Sequence, residues 1–264
     1  MASGVPRQRL GQRCHRARVR SGTPARIVMI PDVLRPFLRT AWAPLTSAEM
    51  GPADASSFSG LAWIPEGETW PECPNCGRPL QLLAQLNTAD LPEPTRAQAG
   101  TGLIQAFYCT NADPKCDVDL EGWAPFSDAH VVRRVVPSGV PALSSPPEAI
   151  PDRFPPRRIT GWTAFEEPPL YEEAAVRSVE LDDATWDALA DDGWPRAGDK
   201  LGGWPHWVQS PERPACRRCG REMEVLLQLD SHDHLPIYFG DMGAGHLSVC
   251  PEHADVLAFG WACG

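Results

Sequence analysis

The chemistry-bearing residues of this chain are its cysteines. Four of the nine form two C-x-x-C pairs, each closed by glycine: Cys73 and Cys76 before Gly77, and Cys216 and Cys219 before Gly220. Two residues between thiols, in a turn ending at glycine, aim both sulfurs and nearby N–H groups at one point, and a second pair on another turn completes a tetrahedron that zinc accepts well. Cys109 and Cys116 supply that second pair in the first half. In the second half Cys250 is the third ligand, and the fourth is His253 of "CPEH" or Cys263 of "FGWACG". His253 is preferred because it makes a local pair, as in the first set. Four ligands leave no open position, so two structural Zn2+ ions are expected rather than a catalytic one. Cys14 has no partner at such spacing.

Other reactive groupings are weaker. "DSHDH" offers Asp230, His232, Asp233 and His234, and the two histidines face the same way if the segment is extended. A solvated turn after a strand is the preferred reading. "GDMGAGH" has the glycines of a phosphate loop without the following Lys-Ser/Thr. No G-x-S-x-G and no H-E-x-x-H occurs. A non-enzymatic role is therefore expected. The alternative is an enzyme working through the Asp230–His234 region and Asp241.

The cysteine turns must be positioned by what surrounds them, and there the chain repeats itself. "CPNCGRPLQLLAQLN" at 73–87 and "CRRCGREMEVLLQLD" at 216–230 hold Cys, Cys, Gly, Gln85/Gln228 and Leu86/Leu229 at one constant offset of 143 residues. Register kept over that span points to duplication. The runs "LQLLAQL", "GLIQAFYC", "VLLQL" and "HLSVC" read as short strands. "LDDATWDALADDG" reads as a helix capped by Asp182 or Asp183 and stopped at Gly193, and "LTSAEM" as a short helix. Seven prolines between Pro137 and Pro156 exclude a helix or central strand there. The expected organisation is a basic lead at 1–27, a first unit at 28–137, a Pro-rich linker at 138–157 and a second unit at 158–264. Most of the ten tryptophans are expected in the core.

Charge narrows the partners. The net charge is −10, yet residues 1–27 carry seven arginines and no acid, so the remainder sits near −17. An acidic body repels phosphate, which disfavours nucleic acid as its partner and favours a basic protein or peptide. The lead is read as a disordered extension, with Met29 as an alternative start; a targeting peptide or a nucleic-acid arm are the other readings. It has no apolar h-region, and no window is long and apolar enough for a membrane span. A cytoplasmic location is expected, and there metal ligation explains the cysteines better than disulfides.

"SGLAWIPEGETWPECPNCGRPLQLLAQLN", "GLIQAFYC", "KLGGWPHWVQSP", "VLLQLD" and "GDMG" resemble the YwqG family, over roughly residues 59–264. The knuckle followed by a Leu-rich strand is also similar to programmed cell death protein 2 and its relatives. The resemblance implies a duplicated, β-rich α+β body and a peptide- or protein-binding module, chaperone-like or toxin-masking in type. The matching positions are Gly202, Gly203, Pro205, Gln209, Gln228, Gly240 and Asp241. Many YwqG-like proteins lack these cysteines, so the zinc expectation rests on this chain.

Overall fold

A computed structural model describes residues 30–150 and 152–264. The basic lead at 1–27, Cys14 and Met29 lie outside the described residues. The apolar runs form strands where alternation and β-branched or aromatic content favour them. Among the described residues the strands are β1 (Arg39–Ser47), β2 (Ser57–Phe58), β3 (Gln81–Asn87), β4 (Leu103–Tyr108), β5 (His130–Val135), β6 (Arg157–Glu167), β7 (Lys200–Gly202), β8 (Glu224–Asp230), β9 (Ala244–Val249) and β10 (Leu257–Ala262). Helices are few and short: α1 (Thr95–Ala99), α2 (Cys116–Asp119) and α3 (Asp183–Asp191), with three 3-10 turns. The fold is β-rich.

The strands make one antiparallel sheet in the order β10-β9-β8-β7-β1-β6-β2-β3-β4-β5. The order reads the same from either end if β1 is exchanged with β6, β2 with β7, and so on outward. β1 precedes β2 in the chain, yet it pairs with β6 and β7; β6 precedes β7, yet it pairs with β1 and β2. Each half therefore completes its sheet with a strand from the other. The outer strands β5 and β10 then approach, and the Trp261 N–H donates to the Trp123 carbonyl at 3.1 Å. The sheet curls nearly into a barrel. One core fills it from both halves, with Leu86, Ile104 and Tyr108 meeting Leu229, Leu247 and Phe259.

The halves match contact by contact. The ladder slips between Leu82 and Ala84 in one and between Val225 and Leu227 in the other, 143 residues on. The Gln85 side chain accepts from the Trp63 N–H at 2.9 Å and donates to the carbonyls of Ala53 and Ala55. Gln228 accepts from the His206 N–H at 2.8 Å and donates to the carbonyls of Arg196 and Gly198. These buried amides satisfy backbone groups of the loops crossing them.

The helix read from 181–193 forms as α3, with the Asp182 carboxylate accepting from the Thr185 N–H at 2.7 Å. The helix read from "LTSAEM" does not form. Leu45–Ser47 ends β1, held in the ladder with β6, and the Ser47 hydroxyl accepts from the Glu49 N–H at 3.0 Å. Tertiary pairing outweighs the weak helical preference there, and the hydroxyl supports a turn. The proline-rich stretch before β6 docks instead of forming regular structure: the Ile64 N–H donates to the Leu143 carbonyl, and Ile150 is buried. No helix among the described residues is long and apolar enough to cross a membrane.

Candidate metal centres

Each C-x-x-C turn is built by its own backbone. The Cys73 N–H donates to the Arg78 carbonyl and the Gly77 N–H to the Cys73 carbonyl, both at 2.8 Å; Cys216 with Arg221, and Gly220 with Cys216, repeat both bonds at 2.8 Å. The chain reverses through Gly77 at φ +67° and Gly220 at φ +73°, where other L residues are strained. A strand end carries the third ligand to the turn. Cys109 follows β4 and Cys250 follows β9, and β3·β4 and β8·β9 are neighbouring ladders.

Two four-ligand sets result. Cys73, Cys76, Cys109 and Cys116 bring their sulfurs within 4.8 Å of one another, and so do Cys216, Cys219, Cys250 and His253 with their ligand atoms. The sulfurs of Cys76 and Cys109 are 3.8 Å apart, and those of Cys219 and Cys250 3.7 Å. Disulfide sulfurs stand about 2.05 Å apart, so these are free thiols facing a common centre. His253 joins through Nδ1, at 3.8 Å from the Cys216 sulfur and 3.6 Å from that of Cys250. Cys263 lies elsewhere, against Gly240. Both sets could hold a metal ion.

Their surroundings differ. The first set sits in an apolar cluster with Ile64, Trp70, Leu82, Phe107 and Ile150. The second has only Met223 and Ala258 as further buried members, with Phe126 and Val256 alongside, and Cys219 is exposed. Burial raises the thiol pKa of Cys109 and Cys116. At Cys73 burial also opposes ionisation, but the N–H groups of Cys76 and Asn75 outweigh it and lower the pKa. Burial opposes ionisation at Cys216 too; the N–H groups of Arg218 and Cys219 and the neighbouring thiols bring it down to about 6. The first cysteine of each set thus ionises more readily than an ordinary thiol, and the thiolate is the form a metal binds.

A family model described as a domain of unknown function, DUF1963, matches residues 56–260. The chain belongs to this family. No curated protein matches it. The DUF1963 match contains all eight ligands of the two sets, and its glycines have local reasons. A side chain at Gly203 would collide with the Glu167 carboxylate, and one at Gly202 with Thr95 and Trp42. Gly203 thereby admits a buried ion pair that the sequence reading missed. Lys200 Nζ donates to both Glu167 oxygens at 2.8 and 2.9 Å, and to the Trp204 carbonyl at 2.7 Å. Nothing but Lys and Glu in the text signals it, because their separation in sequence is arbitrary.

The "DSHDH" residues divide. His234 gathers with Asp199 and Asp233, its Nδ1 2.9 Å from Asp199. That hydrogen bond raises the His234 pKa. The Asp199 carboxylate also accepts from the N–H groups of Asp230 and His234, so it organises the turn. Asp230 accepts from the Gly198 and Ser231 N–H groups. His232 is exposed and packs its ring on Tyr238 instead. Asp241 is exposed in the following turn and is not a member of the cluster. Tryptophans 63, 70 and 204 are buried; the indole N–H groups of Trp70 and Trp204 donate to the carbonyls of Leu80 and Phe37 at 2.8 Å.

Proposed function

We propose that this protein is a non-enzymatic, zinc-stabilised module that binds a protein or peptide client, with a chaperone-like or toxin-masking role in the cytoplasm. The observation that carries the reading is the pair of four-ligand sets. A tetrahedral zinc ion with Zn–S near 2.3 Å separates its sulfurs by about 3.8 Å, and the two sulfur pairs stand at 3.8 and 3.7 Å. All four positions of each set are filled by side chains, so such an ion would brace and not react. Thin cores built of short strands gain several kcal/mol from a metal of this kind.

Duplication of one ancestral unit accounts for the constant 143-residue offset and for the matched glutamine contacts. The resemblance of the sequence motifs to YwqG proteins, and more remotely to programmed cell death protein 2, supports the client-binding reading over catalysis. The acidic body suits a basic client, through faster encounter and complementary charge.

Three measurements test this. Elemental analysis of protein purified without added metal should give close to two zinc ions per chain, and chelation should lower the melting temperature. Affinity capture should return one dominant basic partner. Metal-free protein with unchanged melting would remove the zinc claim; a monomer that captures nothing would remove the client claim.

A further inference from the structure

The curled sheet leaves a cleft of about 450 Å³ at one end, beside the first cysteine set, where loops of both halves meet. Four aromatic rings line it: Tyr108, Phe154, Tyr238 and Trp261. Two carboxylates, Asp117 and Asp152, line it with them, and among the described residues Lys115 is its one cationic side chain. Tyr108 forms the floor. It is buried, and its hydroxyl accepts from the Trp261 indole N–H at 3.0 Å. Tyr238 stands at the rim with 57% of its surface exposed.

Aromatic side chains and carboxylates set around one small opening suit a flat, delocalised cation. A guanidinium stacks on aromatic rings and pairs with carboxylates through its planar fork, whereas an ammonium is a compact point charge that holds its water. The cleft size suits one such side chain and its neighbour. The negative charge of residues 28–264, near −17, draws a basic segment toward it and turns away phosphate backbones. We propose that this cleft is the docking site for an arginine side chain of a basic partner peptide. The proposal rests on the client-binding reading above and locates it.

The test uses the full-length protein and two capped peptides, Gly-Ser-Arg-Leu-Ser-Gly and the same peptide with citrulline, the neutral near-isostere of arginine. Titration followed by NMR should show the arginine peptide binding at least tenfold more tightly, with shifts confined to the cleft. Asp117→Asn and Asp152→Asn keep shape and remove charge, and each should weaken binding roughly threefold to tenfold; Tyr238→Ala should do the same. Glu180→Gln, at an exposed position away from the cleft lining, should leave affinity unchanged. Melting temperatures check that every variant is folded. Equal affinity for the citrulline peptide, wild-type binding by Asp117→Asn and Tyr238→Ala, or no binding at all would overturn the cleft. A basic client captured equally by wild type and by the Asp117→Asn/Tyr238→Ala double variant would also overturn the cleft while leaving the module reading intact.

Discussion

The two halves of the sheet share a frame and differ in what fills it. Gln85 and Gln228 do the same work, but their neighbours across the ladder do not. In the first half Gln105 donates to the Trp63 carbonyl and to Gln85, and accepts from Arg133 at 2.8 Å. At the matching place in the second half stands His246, paired with Gly260 where Gln105 meets Arg133. The His246 ring is buried against Trp207 and its Nε2 has no partner among the described residues. Where Ser57 lies beside Gln85, the second half has Lys200 beside Gln228, fastened to Glu167. The first metal set is enclosed by a substantial apolar cluster, and the second is near the surface. Groups that satisfy backbone are the same in both halves, where their loss would strand buried carbonyls and N–H groups. Positions that only fill space or balance charge differ.

Equivalent substitutions in the two halves should therefore have unequal effects. Cys76→Ser opens the first four-ligand set, where the proposed ion would brace the larger cluster; the expected loss is on the order of 5 kcal/mol, or a melting temperature lower by ~10 °C. Cys219→Ser, at the corresponding place, should cost roughly half as much. Equal losses would show that the surrounding apolar cluster does not set the contribution of each ion.

Lys200→Ser gives the second half the residue of the first. It leaves the Glu167 carboxylate buried without its cation, and urea unfolding should report a loss of about 3–5 kcal/mol. Adding Glu167→Gln should restore part of it. If Lys200→Ser costs under about 1 kcal/mol, Glu167 has found another cation or water, and the asymmetry between the halves is smaller than it looks.

The smallest effect is the pH response of His246. Burial lowers its pKa to about 3, against an ordinary value near 6.5. The unfolded chain then binds the extra proton between these values, so stability falls as pH drops through that window, by up to about 1.4 kcal/mol per unit. Between pH 7 and 5 the loss should approach 2 kcal/mol. His234, whose pKa is raised by its bond to Asp199, works in the opposite sense: its contribution is present at low pH and lost as pH rises through its folded value. His246→Gln, the residue found at 105, should flatten the acid limb of the urea-midpoint profile relative to wild type. An unchanged acid limb would show that the buried His246 ring does not set the acid response.

Much of the local structure was legible in the residues. C-x-x-C-G dictates its turn because the bonds that close it lie within six residues, and β3, β4, β8 and β9 announce themselves as apolar runs. Asp182 caps α3 for the same local reason. β1 and β6 were not legible. They are half-exposed, Pro44 and Gly161 interrupt them, and their pairing partners are more than a hundred residues away. A hydrophobic period cannot mark a strand that buries little on either face.

Spacing along the chain thus determined which residues could act together over a few positions: the knuckles, the capped helix, the repeated strands and the acidic balance. Only the folded sheet decided the rest. It exchanged β1 and β6 between the halves, chose His253 over Cys263, set Lys200 against Glu167, and gathered Tyr108, Asp117, Tyr238 and Trp261 around one cleft. The reason is that local sterics and hydrogen bonding act between near neighbours, whereas those pairings depend on long-range closure that no short window of sequence contains.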